Sequence, residues 1–225
     1  MTNTPPRLVV HHRVGVIGDI HTEADVLAWA IDVLRGQDVE VILATGDLAD
    51  GPHHGAGVVR ACRLLREANA ITVQGNHDRW LLDNDQRDFP DATFLDEIDA
   101  ESRKYLQGLP VSVEIVTPLG LMLFGHGLGD DDMATLYPYD HGPALTKNSA
   151  LQSLLGQAHY RLVLGGHTHR RMVRKLSGVT FINPGAIMAT REPCCLVLDF
   201  RERKAKFFDH APSTAGTTPG PVFDL

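Results

Sequence analysis

The chain lacks the features that mark secreted, membrane-spanning and nucleic-acid-coating proteins. Only three of its 225 residues are cysteine, and two of these, Cys194 and Cys195, are adjacent in a strand-like segment, so a disulfide framework is not expected. No apolar run approaches the ~20 residues that a membrane-spanning helix needs, and residues 1–13 contain no signal-peptide segment. The formal net charge of -7 opposes nonspecific binding to nucleic acid. These absences favour a cytoplasmic protein that works without a membrane.

What is present is a length and composition suited to one large α/β domain. The 43% hydrophobic content is typical of a globular core. In the first half, strands are predicted at residues 13–18, 39–44 and 71–74, and helices at 23–35 and 55–68, where apolar residues recur at helical spacing. This alternation predicts a parallel sheet with crossover helices.

Short strands dominate the second half. Residues 111–116 and 119–125 predict a hairpin, followed by a helix at 148–156 and strands at 161–165, 172–176, 179–182, 194–200 and 204–209. Residues 89–109 have the pattern of an amphipathic helix. The strands favour antiparallel additions or a second sheet facing the first. We expect a single domain over residues 13–210, with flexible ends at residues 1–12 and 211–225.

Five polar clusters follow the predicted strands. They are Asp19-Ile20-His21, Gly46-Asp47-Leu48-Ala49-Asp50, Gly75-Asn76-His77-Asp78, Gly125-His126 and Gly166-His167-Thr168-His169. Functional residues of α/β sheets gather beyond the carboxyl ends of strands, and a mixture of Asp, Asn and His suits a pair of divalent metals. Each residue alone has an ordinary explanation as a turn, cap or surface residue. Their joint occurrence at strand ends predicts a metal site suited to attack on phosphate esters.

The five clusters resemble the signature of the calcineurin-like metallophosphoesterase superfamily: Asp-x-His, Gly-Asp-x-x-Asp, Gly-Asn-His-Asp/Glu, Gly-His and Gly-His-x-His. The segment Asn183-Pro184-Gly185 is similar to one in the small bacterial phosphodiesterase-like branch. The resemblance implies an α/β fold in which a two-sheet β-sandwich is flanked by helices (α/β/β/α). It also implies that the chain is an enzyme, a metal-dependent phosphoric ester hydrolase.

The resemblance further assigns ligands for two divalent metal ions. The first metal would be bound by Asp19, His21 and His169, the second by Asn76, His126 and His167, and Asp47 would bridge both. Manganese is the first choice from the family, and iron, zinc, cobalt or nickel also suit these ligands. A metal-activated hydroxide would attack the phosphorus.

The third cluster supplies the predicted catalytic pair. His77 would protonate the leaving oxygen, and Asp78 would orient His77 or act as the N-cap of the following helix. Asp50 is expected to be a turn residue or a neighbour of the ligands rather than a ligand.

Departures from the family pattern bear on the substrate. Gly51 stands where protein Ser/Thr phosphatases and dinucleoside tetraphosphatases usually carry an arginine, so a phosphate-binding guanidinium is missing there. Arg79 is the candidate substrate-binding replacement, with a solvated helix-surface arginine as the more ordinary explanation.

Two further groups of residues follow predicted ligands. The basic set Arg170, Arg171, Arg174 and Lys175 could attract an anionic substrate or form a solvated hairpin face. In the loop after His126, Tyr137 and Tyr139 could stack on a base, while the acidic triplet at residues 130–132 argues against a polyphosphate.

Three functions stay open from the sequence. The first is a binuclear-metal phosphoesterase that hydrolyses a small phosphodiester or phosphomonoester. The second is a protein Ser/Thr or dinucleoside polyphosphate phosphatase, which Gly51 disfavours. The third is a noncatalytic scaffold of the same fold, as in the retromer subunit that resembles this superfamily, which the intact ligand set disfavours.

Overall fold

A computed structural model describes residues 7–211 and 216–225 of the chain. The strands are β1 (Arg7–Val9), β2 (Arg13–Ile17), β3 (Val41–Ala44), β4 (Ile71–Thr72), β5 (Ser112–Thr117), β6 (Gly120–Gly125), β7 (Tyr160–Leu164), β8 (Met172–Leu176), β9 (Val179–Asn183), β10 (Cys194–Asp199), β11 (Lys204–Ala211) and β12 (Gly216–Asp224). The helices are α1 (Ala24–Gly36), α2 (His54–Glu67), α3 (Asn76–Asp83), α4 (Ala100–Gln107), α5 (Pro143–Thr146) and α6 (Ser149–Gln157), with a 3-10 turn at Leu95–Glu97.

The strands form two six-stranded mixed sheets. One sheet has the order β12-β11-β10-β2-β3-β4, and the other has the order β1-β5-β6-β7-β9-β8. β2, β3 and β4 are parallel, which confirms the predicted crossover unit, and β5 and β6 form the predicted antiparallel hairpin. The two-sheet fold flanked by helices is therefore the one that the sequence predicted.

Alternation along the strands divides the apolar residues between three cores. Val14 and Val16 on β2 point into the core between the two sheets, while Ile17 packs against α1 and α2 on the outer face. Adjacent side chains on a strand face opposite ways, so Cys194 lies in the core between the sheets and Cys195 lies under the helices. A third core packs α6 against the outer face of the other sheet. All three cysteines are buried thiols without a disulfide.

The chain ends differ from the prediction of flexible segments at residues 1–12 and 211–225. β1 pairs in parallel with β5, and β12 pairs with β11 in an antiparallel ladder with a bulge. The Pro- and Gly-rich composition suggested a loose tail, but an edge strand tolerates proline because one row of its backbone groups faces solvent. The Phe223 ring also packs edge-on against Phe207, at 5.8 Å between centroids. Residues 1–6 and 212–215 lie outside the described residues.

The predicted helix over residues 89–109 is also wrong in its first half. Only Leu95–Glu97 and Ala100–Gln107 are helical there. Asp99 is the N-cap of the second of these helices, and its carboxylate accepts the Ser102 N–H at 2.7 Å. Within the described residues, no helix is long and apolar enough to cross a membrane.

Candidate metal centre

The predicted metal ligands meet at one edge of the sandwich, where strand ends of both sheets lie side by side. Asp19 and His21 follow β2, Asp47 follows β3, Asn76 opens α3, His126 follows β6, and His167 and His169 follow β7. The two sheets are joined here, because the Ile187 N–H donates to the Asp19 carbonyl at 3.1 Å. Closure of the sandwich thus brings together residues such as His21 and His169, which are 148 positions apart.

The loops that carry these side chains have an unusual backbone. Left-handed φ angles occur at His21 (45°), Asp47 (50°), Asp50 (62°), His167 (64°) and His169 (55°). Such non-glycine conformations cost ~1–3 kcal/mol each and concentrate at functional sites. Gly75 has no room for a side chain, since a Cβ there would lie 2.2 Å from Asp47 Oδ1. The glycine lets α3 approach the carboxylate.

One oxygen of the Asp19 carboxylate accepts hydrogen bonds from the protein, and the other is available to bind a metal ion. Its Oδ1 accepts hydrogen bonds from the Thr45 hydroxyl and the His167 N–H, each at 3.1 Å. Its Oδ2 lies 3.6 Å from His169 Nε2. Among the described residues, this buried Oδ2 and the buried Asn76 Nδ2 have no hydrogen-bond partner. Orphaned buried polar atoms are costly unless a bound group satisfies them.

Asp47 lies between two groups of donors. One group of close ligand atoms contains His21, Asp47 and His77, and the other contains Asp47, His126 and His167. The Asp47 Oδ2 is 3.3 Å from His126 Nε2 and 3.7 Å from His21 Nε2. Its Oδ1 accepts the His77 N–H at 2.9 Å. A carboxylate at the junction of two ligand groups is suited to bridge two cations.

Two of the imidazoles are oriented by backbone carbonyls. His21 Nδ1 donates to the Asp50 carbonyl at 2.8 Å, and His126 Nδ1 donates to the Thr45 carbonyl at 2.6 Å. These bonds leave both Nε2 atoms for the centre, which is the usual arrangement of metal-binding histidines. His21 Nε2 and His169 Nε2 converge to 3.1 Å.

The electrostatics of the centre favour a bound cation. Burial alone lowers the pKa of His126, but the Asp47 carboxylate outweighs burial and raises this pKa to about 10. Burial also raises the pKa of Asp47, yet the neighbouring His126 brings it well below the usual range. Burial lowers the pKa of both His167 and His169, so their neutral, metal-binding form is favoured. Buried carboxylates, an amide oxygen and neutral imidazoles are a donor set that fits divalent transition metals.

His77 stands beside the centre with its own support. Its Nδ1 donates to Asp50 Oδ2 at 2.8 Å, and Arg87 donates two hydrogen bonds to the same carboxylate, each at 2.8 Å. The N–H of Thr93 also donates to Asp50, at 2.8 Å. Burial lowers the pKa of His77, but the hydrogen bond to Asp50 and the negative charges of Asp47 and Asp50 together outweigh burial, so the pKa is raised. His77 is thus held in place and tends to carry a proton.

The predicted role of Asp78 as the partner of His77 is wrong in this structure. Helix α3 begins at Asn76, and Gly75 is its N-cap. The Asp78 carboxylate accepts the N–H groups of Gly75, Leu48 and Ala49 at 3.0, 2.8 and 3.2 Å. Burial, followed by the charge of Asp47, raises its pKa to about 6. Asp78 therefore ties α3 to the Asp47 loop rather than orienting an imidazole, and it is not the N-cap residue either.

The predicted substrate contacts are largely engaged elsewhere. Arg79 forms a two-pronged ion pair with Asp132, at 2.7 and 3.0 Å. Two of the four basic residues that follow His169 already have partners within the protein. Arg171 pairs with Asp209 at 2.6 Å, and Arg174 donates to the carbonyl of Tyr137 at 2.9 Å.

Sequence reasoning missed three supporting residues. Asp50 was expected to neighbour the ligands, but its pairing with His77 was not predicted. Arg87 lies in a loop with no motif, and Thr45 is an ordinary strand-end residue. The one signal available was the second aspartate of the Gly-Asp-x-x-Asp block, a polar residue that is fully buried here and therefore needs a partner.

Comparison with known proteins agrees with this geometry. A sequence model of the calcineurin-like phosphoesterase superfamily domain matches residues 13–203. The chain therefore belongs to the calcineurin-like phosphoesterase superfamily, and it is a metal-dependent phosphoester hydrolase of that family, as the sequence predicted.

Individual relatives are distant. Phosphodiesterase MJ0936 of Methanocaldococcus jannaschii is 24% identical over 175 residues, which cover 77% of this chain and 82% of the relative. A metallophosphoesterase structure from Sphaerobacter thermophilus has a TM-score of 0.61 at 20% identity and covers 88% of this chain and 87% of its own. Vps29 of Entamoeba histolytica, complexed with zinc, has a TM-score of 0.56 at 17% identity, covering 95% and 98%. These structural likenesses show the shared fold.

Proposed function

We propose that the protein is a binuclear-metal phosphodiesterase. The observation that carries the proposal is the position of Asp47. Its Oδ2 lies 3.3 Å from Nε2 of His126, a predicted ligand of one metal, and 3.7 Å from Nε2 of His21, a predicted ligand of the other. The predicted first-metal ligands support it, since His169 Nε2 lies 3.6 Å from Asp19 Oδ2 and 3.1 Å from His21 Nε2. The name of the relative MJ0936, a phosphodiesterase, favours a diester over a monoester. Manganese is the proposed metal.

Two divalent ions bound here would polarise the phosphate oxygens and make water nucleophilic near neutral pH. The chain's own residues supply the proton. Asp50 holds Nδ1 of His77 at 2.8 Å, so Nε2 is the nitrogen left to donate to the leaving oxygen. Arg87 fixes the Asp50 carboxylate through two N–H groups and thereby fixes the ring.

The alternative phosphatase function is disfavoured by Gly51. A Cβ at this position would lie 2.0 Å from the His21 carbonyl oxygen, so the loop has no room for an arginine side chain there. The scaffold alternative is disfavoured by the complete ligand set and by the supported imidazole of His77.

Turnover of chromogenic esters tests the proposal. Manganese-loaded protein is assayed with bis(p-nitrophenyl) phosphate and with p-nitrophenyl phosphate, and metal content is measured on the same samples. We expect saturable diester turnover above the monoester rate. Asp47→Ala should lose both metal and activity. His77→Ala should keep its metal near the wild-type level and lose most turnover of a dialkyl phosphate, whose alkoxide leaving group needs a proton. The exposed His159→Ala variant is the control. Metal-replete protein that hydrolyses neither ester would contradict the proposal.

A further inference from the structure

A groove opens from the candidate metal centre on the side of His169. Its volume is about 560 Å³, and its walls include His169, Ala186 and Tyr139. Ala186 forms a parallel bridge with Asp19, so the groove begins beside two predicted ligands. Sites for small organic ligands have volumes of about 300–1,000 Å³. The groove is therefore large enough for a substrate portion bound next to the reacting phosphate.

The groove carries positive charge that the fold does not use. Arg170 and Arg191 are exposed on its walls, and among the described residues no side-chain hydrogen bond or ion pair engages either guanidinium. One acidic wall residue, Glu192, opposes them. The balance favours an anionic ligand.

The same groove presents an aromatic face on an ordered support. Tyr139 is 66% exposed, and its ring stacks on Tyr137 at 5.4 Å and 15°. The loop beneath is held because Arg174 donates to the carbonyls of Tyr137 and Asp140. The Tyr137 N–H also donates to the Asp140 carboxylate, at 2.8 Å. An exposed ring on a fixed loop loses little freedom when a flat ligand stacks on it.

We propose that this groove binds a nucleotide portion of the substrate. The base stacks on Tyr139, and a further phosphate pairs with Arg170 and Arg191. An aliphatic phosphodiester has no flat ring that could stack on Tyr139. A ligand with an uncharged ring has no anionic group that could pair with Arg170 and Arg191. The assignment rests on the proposed phosphodiesterase function and narrows its substrate to nucleotide-bearing phosphodiesters.

Two esters with one leaving group test the contact with the base. Manganese-loaded protein is assayed with thymidine 5′-(p-nitrophenyl phosphate) and with methyl p-nitrophenyl phosphate. We expect kcat/KM to be at least about tenfold higher for the thymidine ester, since base stacking contributes an effect of that size. Tyr139→Ala should abolish this preference, mainly by raising KM for the thymidine ester. Tyr139→Phe, which keeps the ring, should preserve it.

Calorimetry on the metal-free protein tests the charge separately. Adenosine 3′,5′-bisphosphate should bind, and the double variant Arg170→Ala/Arg191→Ala should weaken binding by about tenfold or more. Arg63→Ala, an exposed arginine on α2 with one 4.0 Å contact to Glu67, is the matched control and should bind like the wild type.

The outcomes separate this assignment from the proposed function. Equal kcat/KM for the two esters, or bisphosphate binding that the double variant leaves unchanged, would overturn the nucleotide groove and leave the hydrolase intact. If metal-replete protein hydrolyses neither ester, the proposed function fails and the nucleotide assignment fails with it.

Discussion

Asp50→Asn is the substitution that most sharply separates acid catalysis from metal binding. The variant keeps the shape of the side chain but removes the negative charge 2.8 Å from His77 Nδ1. A hydrogen bond to a charged group is worth ~1.5–3 kcal/mol, which is about a 10–150-fold effect on rate if it is fully lost in the transition state. Asp50 is buried and cannot touch a substrate, so kcat should fall while KM stays near the wild-type value.

The leaving group makes this test specific. A p-nitrophenolate leaves readily without a proton, whereas an alkoxide needs one. Asp50→Asn and His77→Ala should therefore slow a dialkyl phosphate far more than bis(p-nitrophenyl) phosphate. In a double-mutant cycle, Asp50→Asn should add little to His77→Ala, because Asp50 acts through His77.

The matched variant Arg87→Met removes the two N–H donors of the same carboxylate and should give a smaller loss of the same kind. Metal content is measured on every variant. Equal losses for both leaving groups, or loss of metal from Asp50→Asn, would refute the reasoning.

The remaining predictions concern stability. Adding manganese should raise the Tm, and chelation should lower it, because a ligand that binds only the folded state stabilises it by mass action. Burial raises the pKa of Asp199, but the Glu202 N–H and the Arg13 guanidinium outweigh burial and lower it, so its stabilisation is present above about pH 4 and is lost as the pH falls through the folded-state pKa. Asp199→Asn should therefore lower the free energy of unfolding at pH 7 by about 1–3 kcal/mol, and the difference should vanish in acid when unfolding is measured with urea; a difference independent of pH would contradict this. Gly51→Ala should lower the Tm and reduce metal content, since the added Cβ meets the His21 carbonyl oxygen; an unchanged Tm would show that the loop yields freely.

Much of the fold could be predicted from local pattern. Apolar periodicity predicted the strands and crossover helices of the first half because each element reports its own buried face. The polar clusters could be placed at strand ends for the same reason. The predicted boundaries mostly lie within a few residues of the observed ones, as for β8, which spans Met172–Leu176.

Long-range pairings could not be predicted in the same way. The hydrogen bond between His77 and Asp50 spans 27 positions. In the sequence, the adjacent carboxylate of Asp78 is the nearer candidate partner for His77. The backbone N–H groups of Leu48 and Ala49 claim Asp78 instead, and these partners exist only once β3 and α3 are packed together. Sequence proximity therefore suggested the wrong acid.

The irregular segment before α4 has a similar cause. Thr93 donates its N–H to Asp50, accepts the Asp50 N–H at its hydroxyl, and accepts Arg87 at its carbonyl. Its backbone is thus committed to the support of His77 rather than to a helix. The amphipathic pattern of the segment does not reveal this requirement.

The proposed function requires two metal ions that share the Asp47 carboxylate. Crystals grown with manganese should show two anomalous difference peaks, one on each side of Asp47. The predicted neighbours of the two peaks are Asp19, His21 and His169 for one, and Asn76, His126 and His167 for the other. A single peak, or peaks that do not contact Asp47, would contradict the account.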